Sequence, residues 1–437
     1  MKRKIWIILL LIGLISLPLL SAEPKVKLGG LIYTYAFFHS NTDFDKETED
    51  GNTYLYIHAD VQTTVDFGDG VTFYVMLGAW SQHGANPYWG VDLQGIPDPS
   101  LRILQGYIEV KNIGDTPLSF TLGKKRLLYG DGAVMFDGGE DGATGVWLNY
   151  NQGKVNADLF YVRLAQSHGI AYVGAPFYGG YNPGAYDGYP GNINLMGIYS
   201  TITLSKSLNI QPYLVFRPWN IAPGYHANPM WIGLRAEGSM NKLSFAAEYT
   251  QMGGEDGYGT DYKGYEYLLK ADYEVSKSLA VGGAYVCFSG DDNPEDSSNY
   301  LYESATNGPY TFGFYKDWPG FGPAHLMTTG YGFGGLDPGN TTMTNLNMFN
   351  IHLGFSLGNF AFRVDYFKYG RNKVMEGGHK DMGGELAFLG KYTYREKITF
   401  GFTAGAWSPG DYFKKDLGLE GRAATAYGGY FWTALAF

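Results

Sequence analysis

Segments of about ten residues in which apolar and polar side chains alternate recur along the whole chain, and this period of two is the strongest constraint on its fold. In TYLYIHADVQTTVDF, residues 53–67, Leu55, Ile57, Ala59, Val61, Val65 and Phe67 fall on one parity. His58, Asp60, Gln62, Thr64 and Asp66 fall on the other. Successive side chains of a strand point to opposite faces, so this segment has one apolar and one polar face. LSFAAEYT (243–250) and FAFRVDYF (360–367) read the same way. The pattern predicts strands near 28–38, 53–67, 71–80, 102–110, 118–124, 144–150, 154–164, 195–204, 208–217, 230–240, 242–252, 264–275, 279–289, 344–357, 359–369, 383–393, 398–407 and 427–437. The count is about 18, even, and within the range of bacterial membrane barrels.

The connections fall into two classes that alternate. Short ones include GDG (68–70), NQG (151–153), SKS (205–207), NK (241–242), SKS (276–278), GN (358–359) and REK (395–397), while HSNTDFDKETEDGN and SQHGANPYWGVDLQGIPDPS are long. Tight turns at one end and long loops at the other are expected of an all-β transmembrane antiparallel barrel, with short periplasmic turns and long extracellular loops. The run YGGYFWTALAF, Tyr427–Phe437, is then the last strand, pairing with LGGLIYTYAFF to leave no edge in lipid. Phe431, Thr433, Leu435 and Phe437 share a parity, which puts Phe437 at the periplasmic interface, where aromatic girdles lie. A secreted propeller would instead require repeats of about 40–50 residues, and no fixed period is visible.

Tyr 37, Phe 27, Trp 9 and Gly 63 supply the strand and turn formers this architecture needs. The N-terminus reads MKRKIWIILLLIGLISLPLLSAEPK: three basic residues, an apolar run from Ile5 to Leu20, then Ser21-Ala22. That is the layout of a secretory signal peptide over residues 1–22, leaving 23–437 as the barrel. An uncleaved anchor would need about 20 apolar residues. Beyond it no apolar run is long enough for a membrane helix, so any membrane crossing is by strands. The formal net charge is −10, more negative once Lys2, Arg3 and Lys4 are removed, which disfavours nucleic acid as a partner. Cys287 is the only cysteine, so no internal disulfide or cysteine-based zinc module can form.

A closed barrel of this size turns its polar parity towards an aqueous lumen. Alternation assigns Arg217, Arg235, Glu237, Glu248, Lys270, Asp272, Arg363, Asp365, Glu385 and Lys391 to that face. Together they predict a transverse field that selects solutes by charge and size, although any one of them can serve merely as a paired wall residue. His58 on the same face could assist a hydroxyl nucleophile, but no GxSxG elbow accompanies it, and a polar wall residue is the simpler reading. The acidic stretch SGDDNPEDSSN carries Asp291, Asp292, Glu295 and Asp296 without EF-hand spacing, and reads as a solvated loop.

The segment Gly123-Lys124-Lys125-Arg126-Leu127-Leu128-Tyr129-Gly130-Asp131, followed by Phe136-Asp137-Gly138, resembles the strand-to-loop segment of the alginate-export family of outer-membrane proteins. The resemblance implies a barrel of about 18 strands and an acidic saccharide as solute. A terminal Phe such as Phe437 likewise resembles the signal read by the outer-membrane barrel-assembly machinery. Physically, Lys124, Lys125 and Arg126 at a channel mouth would attract anions, or they could be solvated charge beside the headgroups. The longest loop, 290–343, is rich in aromatics and could fold inward, with Lys316, Asp317 and Trp318 as selectivity candidates. The expectation is a passive porin for small hydrophilic, anionic or saccharide solutes, embedded in outer-membrane lipid and lipopolysaccharide, with no cofactor and no catalysis. An occluded receptor or adhesion barrel is the alternative, and a membrane-embedded hydrolase using His58 a third.

Overall fold

The computed structural model describes residues 23–41, 43–48, 51–83, 101–130, 134–136, 142–165, 193–222, 225–257, 259–293, 297–305 and 344–437. Residues 1–22, Glu295 and Asp296, and Lys316, Asp317 and Trp318 lie outside them. The long strands are β1 (Lys25–Ser40), β2 (Asn52–Asp66), β3 (Val71–His83), β4 (Arg102–Val110), β5 (Leu118–Lys125), β6 (Ala143–Gln152), β7 (Val155–Ala165), β8 (Ile193–Ser205) and β9 (Leu208–Phe216). They continue as β10 (Met230–Met240), β11 (Leu243–Gly253), β12 (Tyr265–Ser276), β13 (Leu279–Phe288), β14 (Leu346–Leu357), β15 (Phe360–Arg371), β16 (Asp381–Tyr394), β17 (Ile398–Pro409) and β18 (Ala426–Ala436). Each segment expected from alternation corresponds to one of them.

Every strand pairs antiparallel with its sequence neighbours, and β1 pairs with β18 from Leu31↔Ala436 to Ser40↔Tyr427, closing an 18-strand barrel. Phe437 extends the seam, its N–H donating to the Gly30 carbonyl at 3.1 Å and its carbonyl accepting from the Gly30 N–H at 3.0 Å. The Thr34 and Thr433 hydroxyls meet across it at 2.9 Å. Gly30 is required there, since a Cβ would lie 2.5 Å from both the Asp60 carbonyl oxygen and the Phe437 ring. Closure satisfies every ladder within the wall, which is what lipid demands of a spanning sheet.

Burial splits each strand by parity. On β11 Ala246, Glu248, Thr250 and Met252 face inward and are buried, whereas Tyr249 on the opposite parity is exposed. The exposed set, Leu55, Ile57, Leu122, Leu159, Ile232, Leu269, Ile351 and Leu386 among others, forms the lipid-facing band. Aromatic rings mark its two margins: Tyr249 stacks on Tyr267 at 5.2 Å near the long-loop end, and Phe360 meets Tyr392 at 4.6 Å near the short-turn end. In the short turns residues such as Asn241 take the left-handed conformation (φ 55°) that a reversal of one or two residues requires.

In the long-loop half of the lumen most inward residues are apolar, and segments from four loops pack onto them. Phe44 comes from the β1–β2 loop, Leu127, Val134 and Met135 from β5–β6, Tyr302 and Ala305 from β13–β14, and Tyr412, Phe413 and Leu419 from β17–β18. They join Trp147, Trp231, Phe288, Met348, Phe367 and Trp407 of the wall in one buried cluster. Phe44 touches Phe413 at 4.3 Å and Trp407 at 5.5 Å between ring centroids. Short local pairings stiffen these loops, such as Leu128–Tyr129 against Met135–Phe136 and a hairpin of Trp219–Ala222 with Tyr225–Ala227. Single-strand alternation gives no signal for any of them.

Candidate functional site: the lumen wall and its loop packing

Eight of the residues assigned to the lumen by alternation fall into two groups of bonded side chains and one loop anchor. The first network runs across β8 to β12. Tyr199 donates to Gln211 Oε1 at 2.7 Å, and Gln211 donates in turn to Glu237 Oε1 at 3.2 Å. Arg235 bridges Glu237 and Glu248, each at 3.2 Å. Tyr213 donates to Glu248 at 2.8 Å and lies 2.6 Å from the Thr250 hydroxyl, which itself donates to Glu266 at 2.6 Å. The Tyr213 ring lies flat against Gly233, where a Cβ would come within 2.2 Å of the ring. Above it Tyr302 is fully buried; burial, then the Glu266 and Glu248 carboxylates, hold its phenol well above the ordinary value, so it remains a neutral hydroxyl.

The second network crosses β12 to β15. His352 Nε2 meets Asp272 at 2.6 Å while Nδ1 meets the Asn350 side chain at 2.9 Å. Arg363 forks onto Asp365 with two bonds of 2.7 Å, and Asn350 also donates to Asp365 at 3.1 Å. Next to it Tyr369 donates to Glu385 at 2.9 Å. Lys270 and Lys391 lie half-buried on the same inward parity and make further polar contacts. Such bidentate and buried pairs fix side-chain positions and cancel most of the charge they carry.

Arg217 has a different role from the open-lumen charge that alternation suggests. It is buried, with Nη1 donating to the carbonyls of Ser304 (3.2 Å) and Ala305 (3.4 Å) and Nη2 to Glu303 at 3.3 Å. Its guanidinium sits over Trp231 at 5.1 Å, and Trp231 Nε1 donates to the Glu303 carbonyl at 2.7 Å. Arg217 and Trp231 therefore tether the β13–β14 loop to the inside of the wall.

The basic triplet divides by parity, which corrects the expectation that all three residues line the mouth. Lys125 points inward, beside buried Thr121 and Trp147. Lys124 and Arg126, one residue to either side, fall on the outer parity with exposed Leu122. A strand cannot turn consecutive side chains to one face. Lys125 lies over the rings of Tyr107 and Trp147 at 5.9 and 5.7 Å, and among the described residues no carboxylate comes within ion-pair distance of it. It lines a polar cavity of about 420 Å³ towards the short-turn end of the lumen, together with Ser119, Thr121, Asn149, Asn156 and Asp158. Asp158 is held by Tyr129 at 3.0 Å and Asn149 at 2.8 Å.

Of the remaining motifs, His58 stacks on Tyr33 at 4.5 Å and faces Asp60 at 3.4 Å, a wall arrangement. Asp292 pairs with Lys373 at 3.1 Å, and Asp291 accepts from loop amides of Asn293 and Tyr300. Among the described residues no group of three or more His, Cys, Asp or Glu side chains is placed to hold a metal ion. Sequence reading passed over Glu266, Tyr213, Asn350 and His352. Glu266 shares its parity with Leu268 and lies where the inner face turns apolar, so alternation alone hides it.

The closed 18-strand antiparallel barrel with two loop classes is a fold that recurs among solved bacterial barrel structures. Solved structures of the same shape include Acinetobacter baumannii OccAB4, with 11% identity over 96% of this chain and 99% of that one and a TM-score of 0.60. Acinetobacter baumannii OccAB2 gives 9% identity, 94% and 98% coverage and 0.57, and Pseudomonas aeruginosa OccK5 9%, 94% and 98%, and 0.54. No family model matches the chain, and no curated protein does so. At these identities the likeness is one of fold.

Proposed function

We propose that this chain is an outer-membrane channel for passive diffusion of small hydrophilic solutes, exported by removal of residues 1–22, with anions favoured where they enter the polar half of the lumen. The observation that carries the reading is the polar cavity around Lys125, whose ammonium has aromatic rings beside it and, among the described residues, no carboxylate within ion-pair distance although Glu109 and Asp158 line the same cavity, while Arg217, Arg235 and Arg363 are spent on carboxylates and loop carbonyls. A cation held outside an ion pair in a low-dielectric wall raises the anion concentration close to it. The segment Gly123–Tyr129, similar to that of alginate-export proteins, extends the proposal to acidic saccharides; the hydroxyl and amide groups of Ser119, Thr121, Asn149 and Asn156 suit a polyhydroxylated solute. In this reading the barrel-assembly machinery recognises the β18 seam strand.

Single-channel recording of the refolded barrel in planar bilayers under asymmetric salt tests the proposal. Discrete open steps with a reversal potential shifted towards anions are expected, and Lys125→Gln should lessen that shift whereas Lys124→Gln should leave it unchanged. A second reading, a barrel closed by its own loops and acting as a surface receptor, is favoured by the apolar cluster in the long-loop half. A barrel that stays silent at every voltage would support that reading and reject the channel.

A further inference from the structure

The outer face of β5 to β8 carries a row that the lumen does not use. Lys124 pairs with Thr144, Thr144 with Arg163 and Arg163 with Asn194, so these four side chains stand side by side at one height on the lipid side of the wall, near the long-loop end. Arg126 is exposed just above Lys124. The next outward row towards the short turns is Leu122, Val146, Tyr161 and Met196, apolar and aromatic. A basic row above an apolar band marks the level where acyl chains give way to headgroups.

The row is built rather than scattered. Asn194 Oδ1 accepts from the Tyr161 hydroxyl at 2.9 Å and from Arg163 Nε at 3.1 Å. Arg163 is thereby pinned through Nε, and among the described residues its two terminal nitrogens have no protein partner, leaving the fork that suits a phosphate. Lys124 is steadied by a 2.9 Å bond from Nζ to the Ile103 carbonyl. The described carboxylates of β4 to β8 and their turns are Glu109 and Asp158, which line the lumen cavity, and Asp115 in a short turn. Among the described residues of these strands the acidic side chains thus sit in the lumen or in a turn.

We infer that Lys124, Arg126 and Arg163 form a binding site for a phosphate of lipid A, the phosphorylated glycolipid of the outer leaflet, with its acyl chains lying along Leu122, Val146 and Met196. The inference rests on outer-membrane placement and is independent of whether the lumen conducts. Charge complementarity, the height of the row and the fixed guanidinium select a phosphate over a zwitterionic headgroup.

Native mass spectrometry of the full-length barrel in detergent, titrated with bisphosphorylated lipid A and with the same lipid after phosphatase treatment, tests it. Wild type should retain the bisphosphorylated form roughly tenfold more tightly, the scale of one lost charge-assisted bond. The Lys124→Gln/Arg163→Gln variant should remove that preference, and Asn194→Ala should weaken it by freeing Arg163. Equal retention of both lipids by wild type, or an unchanged preference in the double variant, would overturn the site. If the double variant assembles poorly, Arg163→Gln alone and the two-lipid comparison on wild type decide the matter in the same way. Bilayer conductance of these variants should match wild type; its loss in wild type would count against the channel and not against the lipid site.

Discussion

Replacing Arg217 with alanine tests whether the loop packing in the lumen is held by specific anchors. The substitution removes two bonds to the carbonyls of Ser304 and Ala305, the 3.3 Å pair with Glu303 and the cation–π contact with Trp231. Breaking a buried ion pair typically costs about 3–5 kcal/mol because the partner is left stranded. The Glu303 side chain is 34% exposed and can rehydrate, and the Trp231 bond to its carbonyl survives, so the expected loss is lower. A value of about 2 kcal/mol corresponds to a roughly 30-fold shift in the balance between seated and released loop. Hydrogen exchange reads this directly: the amides of Tyr302 and Ala305, bound to the carbonyls of Ser289 and Val134, should exchange roughly 30-fold faster. Amides in the β9–β10 ladder should be unaffected. Arg217→Lys, which keeps the charge and loses the fork, should fall between the two. Unchanged protection at Tyr302 and Ala305 in the alanine variant would refute the anchoring role.

Gly30→Val places a branched side chain where a single Cβ already meets the Asp60 carbonyl and the Phe437 ring, so the barrel should fail to close and lose its heat-modifiable mobility on gels. Gly233→Val should displace the Tyr213 ring, break its bond to Glu248 and lower the melting temperature; a variant as stable as wild type would show that the ring can relocate cheaply. In the loops, Asp416 is nudged up by burial, but the His379 backbone N–H and imidazole outweigh this and hold its carboxyl below the ordinary value. A depressed carboxylate stabilises the native loop above the unfolded pKa, about 3.9, and the contribution is lost as pH falls through the lower folded value. Asp416→Asn should therefore loosen the His379 loop at neutral pH yet match wild type in acid, read by intrinsic-rate-corrected exchange of the His379 amide.

How much was legible follows from where the lumen is wet. On β2 and β15 the inner face is polar throughout its lower part, so His58, Asp60, Arg363 and Asp365 announced their orientation and the strand boundaries came with them. On β13 and β14 the inward residues Val286, Phe288, Leu346 and Met348 are as apolar as the lipid face, because loop residues cover them. Alternation still located those strands through their turns but could not reveal the loop packing. The division of Lys124, Lys125 and Arg126 was available from parity alone, once Thr121 was fixed as inward. That Arg217 serves a loop and not a solute was not available, since its partners lie 86 to 88 positions away.

The β1–β18 seam joins residues 399 positions apart at Thr34 and Thr433, while every other pairing in the wall joins consecutive long strands. Most of the sheet can thus zip from neighbour to neighbour at low contact order, and only this last ladder demands closure of a loop the length of the chain. Until it forms, two unsatisfied edges confront the membrane together. The seam therefore carries the largest loop-closure cost of the wall and is the point at which an unfinished wall differs most from a finished one.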